Sequence, residues 1–158
     1  MAVKPLVLIT PRSFIIHGRR AIDRMKREGL HIELNSFGRP LTEKELVERI
    51  GEAVGVIVGV DPLPARVLEQ ASKLVVISKY GAGIDNIDVA AASKLGIVVT
   101  RLPGANAEAV ADHAFALLLA VARRVGEADR AMRQGQWGRF VGRQVSGRCL
   151  GLVGTGRI

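Results

Sequence analysis

The chain has 158 residues, 48% of them hydrophobic, and 23 Lys and Arg against 15 Asp and Glu give it a net charge of +8. No apolar run approaches the roughly 20 residues of a membrane span, and the opening MAVKPLVLIT has neither the length nor the flanks of a signal peptide. The single cysteine, Cys149, excludes an intramolecular disulfide scaffold and a cysteine-rich zinc site, so the expectation is a cytoplasmic protein held together by its core.

Short Val- and Ile-rich runs alternate with segments of helical period, the pattern of a parallel sheet covered on both faces. Leu6 to Thr10 reads as the first strand, followed by one helix from about Ser13 to Arg27 that ends at Gly29. His31 to Asn35 alternates polar and apolar residues and predicts a second strand. Thr42 with Glu45 three residues later is a capping box, which starts a helix running to about Ile50. Ala53 to Val60 is a third, strongly apolar strand closed by Asp61, Pro62 and Pro64. A short proline-started helix over Pro64 to Gln70 precedes a strand over Leu74 to Ser78. After the glycine turn of Gly81 and Gly83 come a helix near Asp88 to Leu95, stopped by Gly96, and a fifth strand, Ile97 to Thr100. Five such units predict a flavodoxin-like, doubly wound parallel-sheet domain over residues 1–102, with any ligand at the carboxyl ends of the strands.

The pattern changes after Pro103 and Gly104. Asn106 to Val125 predicts the longest helix, apolar around most of its circumference and therefore buried on several sides. A polar helix over about Glu127 to Gln134 and a basic, glycine-punctuated stretch follow. Leu150 to Val153 is expected to be a buried strand, with Cys149 an inert apolar residue within it.

Three clusters carry possible chemistry. In KYGAGIDNID, residues 79–88, two glycines around a small residue let backbone amides face a carboxylate or phosphate beside Lys79. The alternative is a tight turn in which Asp85 and Asn86 cap the next helix. At the chain's end, Gly154-Thr155-Gly156-Arg157-Ile158 matches a dinucleotide fingerprint up to the residue before its third glycine, which suggests a domain truncated inside that motif. Asn106 to His113 opens the long helix, where His113 is expected to be packed and hydrogen-bonded rather than reactive. His17 and His31, with no carboxylate or nucleophile motif beside them, read as surface or packing residues. From Arg123 onward eight arginines face only Glu127 and Asp129. Few aromatics accompany them, and basic faces are usually solvated or used at subunit contacts, so nucleic-acid binding is not the expectation.

Taken in order, KYGAGIDNID, GIVVT, PGANAEAVADHAFALLLAVAR, MRQGQWGR and GRCLGLVGTGRI make the chain resemble the D-isomer-specific 2-hydroxyacid dehydrogenase family, in its D-3-phosphoglycerate dehydrogenase-like branch. The resemblance implies a substrate domain over 1–102 and the start of an NAD-binding Rossmann domain over 103–158. It implies that Lys79, Tyr80, Gly81, Ala82 and Gly83 hold the carboxylate of a small 2-hydroxy or 2-oxo acid. Asn106, Gly154, Gly156, Arg157 and Ile158 would face a cofactor, NAD or alternatively NADP, and a homodimer would form through 103–158. The family's catalytic arginine, carboxylate and histidine lie beyond the glycine fingerprint, so this portion by itself is expected to be inactive and none of its three histidines takes that role. Asp61, where related phosphoglycerate enzymes tend to carry arginine, is expected to repel a phosphate. Arg101-Leu102-Pro103 and Asp112 depart from the family pattern as well. A free-standing flavodoxin-like signalling module is the alternative, but Thr10 and Pro11 stand where its acidic cluster would be.

Overall fold

The computed structural model describes residues 4–158 and divides into two compact units, Met1–Pro103 and Gly104–Ile158. The first unit is a five-stranded, all-parallel sheet of β1 (Leu6–Ile9), β2 (His31–Leu34), β3 (Ala53–Val58), β4 (Val76–Lys79) and β5 (Val98–Thr100), in the order β2-β1-β3-β4-β5. That is the flavodoxin-like order the strand-helix alternation predicts. Successive strand residues point to opposite faces, so β1 divides its side chains between two cores. Leu8 joins Val56, Val58 and Ile77 beneath α3 (Glu43–Ile50), α4 (Ala65–Leu68) and α5 (Val89–Lys94), which add Leu46, Ile50, Val67, Leu68 and Ala92. Val7 and Ile9 pack on the other face against Ile22, Phe14 and Met25 of α1 (Arg12–His17) and α2 (Arg19–Arg27). Each fully buried Leu or Ile contributes about 1.5–3 kcal/mol of transfer free energy.

The single helix expected over Ser13 to Arg27 is in fact two, broken at Gly18. Gly18 has ordinary negative φ, and its break comes from close approach: its N–H bonds to the Phe14 carbonyl, and a Cβ there would lie 2.6 Å from that oxygen. The capping box forms as read. Thr42 Oγ1 accepts from Glu45 N at 3.4 Å, and Glu45 Oε2 accepts from Thr42 N at 2.8 Å. Asp88, rather than Asp85 or Asn86, caps α5 by accepting from Ala91 N at 2.9 Å.

The second unit contains α6 (Ala107–Ala122) and α7 (Val125–Arg133), joined through Arg124 in the left-handed region at φ 55°. Arg124 pairs with Glu127 across the first turn of α7. Contrary to the sequence reading, no residue of α6 is buried, and Phe115, Leu117, Leu119, Val121 and His113 are exposed. Leu150 to Val153 forms no strand, and Cys149 is exposed. The physical reason is pairing: a parallel strand needs neighbours for its N–H and C=O groups, and all five strands among the described residues belong to the first unit. No helix of the described residues is long and apolar enough to cross a membrane.

Candidate functional site

In the first unit the chain runs from β1 outward to β2 and then returns to the other side of β1 as β3, so the loops leaving β1 and β3 diverge and leave a crevice between them. A cavity of about 790 Å³ lies there, lined by the segments after β1 (Thr10 to Ser13), β3 (Gly59 to Asp61) and β4 (Lys79 to Gly83). Its floor is a set of buried polar groups at the strand ends. Asp61, 1% exposed, accepts from Thr10 Oγ1 at 2.5 Å, from Leu41 N at 2.7 Å and from Gly59 N at 3.3 Å. Asn35, also buried, donates to the Thr10 carbonyl at 3.1 Å and the Arg39 carbonyl at 2.8 Å.

Asp61, expected to repel a phosphate, is a buried acceptor in the cavity floor. Its charge is turned inward and spread over three donors, an arrangement that offsets the cost of burying a carboxylate. Sequence reasoning missed this hub. The available signal was a lone aspartate immediately after an apolar strand, followed by proline.

Lys79 is 8% exposed, and its ammonium donates to the Gly59 carbonyl and to Asn86 Oδ1, the latter at 2.7 Å. Burial lowers its pKa from the ordinary lysine value, opposed by the Asp61 and Asp85 carboxylates. Lys79 is thus first a brace between two loops, with one N–H remaining for the cavity. Asn86 completes the brace through Nδ2 bonds to the Asp61 carbonyl at 2.6 Å and the Gly59 carbonyl at 3.2 Å. Main-chain bonds between Leu63 and the Asn86 to Asp88 turn tie the same loops a second time.

The turn after β4 gives each expected amide a distinct fate. Tyr80 N bonds to the Val58 carbonyl at 2.9 Å and Gly81 N to the Lys79 carbonyl at 3.0 Å, so these two are occupied. The amides of Ala82 and Gly83 have no acceptor among the described residues, and both residues line the cavity. Gly81 stands at φ +151°, a conformation that a side chain rarely tolerates. The carbonyls of Gly81 and Ala82 are fixed from below by Leu102 N at 3.0 Å and Arg101 Nη1 at 3.3 Å. Tyr80 packs edge-on against Phe14 with ring centroids 5.3 Å apart, joining α1 to this turn. Asp85 is exposed beside it, one carboxylate oxygen 3.5 Å from where a Cβ on Gly83 would sit. Two free amides and one ammonium proton can hold a single carboxylate.

The residues expected at a cofactor form no comparable site. Asn106 is exposed and its side chain caps nothing at the start of α6. Gly154, at φ +91°, and Gly156 have open space around them, and no strand precedes them. Arg157 folds its guanidinium against Gly104, and Ile158 is exposed. No group of three or more His, Cys, Asp or Glu among the described residues is placed to hold a metal ion.

The chain is 41% identical over 163 residues to a glyoxylate reductase of Korarchaeum cryptofilum, covering 99% of this chain and 48% of that protein. It is 37% identical over 141 residues to the D-3-phosphoglycerate dehydrogenase of Archaeoglobus fulgidus, covering 87% of this chain and 26% of that protein. Among solved structures, a D-isomer specific 2-hydroxyacid dehydrogenase, NAD-binding, from Polaromonas superposes with a TM-score of 0.81 at 30% identity, covering 99% of this chain and 49% of that one. The chain thus spans about half, or less, of the length of these relatives. A family model for the D-isomer specific 2-hydroxyacid dehydrogenase catalytic domain matches residues 13–145, and the chain belongs to that family.

Proposed function

We propose that this chain is the acid-binding portion of a nicotinamide-dependent oxidoreductase that interconverts a D-2-hydroxy acid and its 2-oxo acid. The observation that carries the reading is the pair of unoccupied amides, Ala82 and Gly83, at the carboxyl end of β4, beside an ammonium that is itself held in place. Backbone N–H groups fixed from beneath bind a carboxylate without rearranging, which is how a small anion is oriented for chemistry. The glyoxylate reductase and phosphoglycerate dehydrogenase activities of the relatives favour a short 2-oxo or 2-hydroxy acid.

In this reading, residues 4–103 supply binding and orientation. The nicotinamide, when bound, supplies the hydride acceptor or donor. No step of the transfer is assigned to the described residues. A homodimer through 103–158, suggested by the exposed apolar residues of α6 and by the arginines around Trp137, is part of the same proposal. Titrating the chain with D-lactate while following backbone amide resonances tests it. Ala82 and Gly83 should shift saturably, with no turnover when NADH and a 2-oxo acid are supplied. Unmoved Ala82 and Gly83 signals refute the binding role, and measurable turnover refutes the division of labour.

A further inference from the structure

We infer that Arg101 is a positioning residue of the carboxylate cradle: it holds the peptide plane whose N–H, that of Gly83, receives the acid, and the acid in turn tightens its grip. This rests on the carboxylate reading of Ala82 and Gly83 and adds a determinant of how strongly they bind.

A peptide unit joins the carbonyl of one residue to the N–H of the next, and in the trans form the two point in opposite directions. No peptide bond among the described residues is cis. The Ala82 N–H therefore shares a rigid plane with the Gly81 carbonyl, and the Gly83 N–H shares one with the Ala82 carbonyl. These two carbonyls are the ones that accept from Leu102 N at 3.0 Å and from Arg101 Nη1 at 3.3 Å. Each plane is gripped on one edge by the segment that leaves β5, and its free N–H points the other way.

Little else holds these planes. Gly81 N bonds back to the Lys79 carbonyl, and the turn is tied again where Ile87 N bonds to the Ile84 carbonyl at 2.9 Å. Between those points, among the described residues, Arg101 is the single hydrogen-bond partner of the peptide joining Ala82 to Gly83. Glycine on either side of Ala82 leaves that plane free to rock once the bond is gone. Arg101 follows β5 directly, and Thr100 of β5 pairs with Ser78 of β4, so its backbone is anchored beside the turn it holds.

Fixing the plane in advance removes the ordering cost that a bound anion would otherwise meet. A cationic donor on the carbonyl also polarises the N–H at the plane's other edge, because linked hydrogen bonds strengthen one another. The effect is reciprocal: an acid on the Gly83 N–H strengthens the Arg101 bond, and one on the Ala82 N–H strengthens the Leu102 bond.

The test titrates D-lactate into the parent and its Arg101→Met variant while following the backbone amides of Ala82 and Gly83. Arg101 is exposed, so the variant should fold as the parent does. Arg101→Met should weaken binding by about fivefold or more, and the loss should persist in about 0.5 M salt, where charge alone is largely screened. In the free protein the substitution should move the Gly83 nitrogen resonance, which senses a donor on the Ala82 carbonyl. In the parent at about 100 times Kd, amide exchange at Leu102 should slow by about tenfold or more. Gly96, before the other end of β5, should not slow with it. A loss under about twofold, a loss that disappears in salt, an unmoved Gly83 signal, or Leu102 exchange that slows no more than that of Gly96 overturns the positioning role and leaves the cradle standing. If D-lactate moves neither Ala82 nor Gly83 in the parent, the cradle reading fails and this inference fails with it.

Discussion

Replacing Asp61 with alanine removes the acceptor shared by three buried or half-buried donors, Thr10 Oγ1, Leu41 N and Gly59 N. Hydrogen bonds to a charged group contribute about 1.5–3 kcal/mol each, but they do not simply add. The Thr10 hydroxyl can turn to the Ile57 carbonyl, 3.5 Å away, and water can reach the less buried Gly59. The expected net loss is about 3–5 kcal/mol, the range for removing one member of a buried charged network. That is a large part of the ~5–15 kcal/mol that holds a domain folded. For a unit of roughly 100 residues it lowers the melting temperature by at least ~12 °C. Asp61→Asn keeps the shape and one acceptor but turns its NH2 toward the Gly59 N–H, so its cost should be smaller, about 1–3 kcal/mol. Amide hydrogen exchange at Leu8 and Ile77 reports on the first unit alone, and urea titration gives the matching free energy. An Asp61→Ala protein within about 1 kcal/mol of the parent would show that the carboxylate is not the hub of this floor.

Glu45 has its carboxyl pKa held down to about 2, first by the Arg39 guanidinium and then by the Thr42 N–H and hydroxyl. A depressed carboxylate stabilises the fold above its unfolded pKa, near 4.5, and that contribution disappears as pH falls toward 2. Glu45→Gln should therefore flatten the pH dependence of the urea midpoint between pH 5 and about 2; an unchanged slope counts against the pairing. Gly18→Ala forces a Cβ to within 2.6 Å of the Phe14 carbonyl and should destabilise the first unit by about 1–3 kcal/mol through displacement of α1. A neutral result in thermal melting would mean that α1 and α2 can join into the single helix the sequence suggests.

How much was legible in the sequence followed from how local each cause was. The Thr42 and Glu45 pair lies within one turn, so residue type and spacing sufficed, and the strand-helix alternation gave the sheet order. The break at Gly18 arises from a carbonyl four residues back, which spacing does not reveal in a helix-favouring segment. The sequence suggests only that Asp61 repels a phosphate, and its role as a buried acceptor stays hidden because its three donors come from positions 10, 41 and 59. The same distance separated the glycine turn as a motif from its actual capacity: Val58 and Lys79 carbonyls occupy two of the amides the motif offers. Leu150 to Val153 has strand composition, yet a strand is a property of its neighbours as much as of its residues.

Nearly all the bonds that shape the cavity floor end on main-chain atoms: the carbonyls of Thr10, Arg39, Gly59 and Asp61, and the amides of Leu41 and Gly59. A floor tethered through its backbone keeps its shape when rim side chains change. Positions such as Val60, which lines the cavity and is 72% exposed, can therefore vary freely without disturbing Ala82 and Gly83. The framework is thus separated from its rim: substitutions at exposed lining positions change the chemistry of the cavity mouth, while the backbone arrangement beneath it stays as it is.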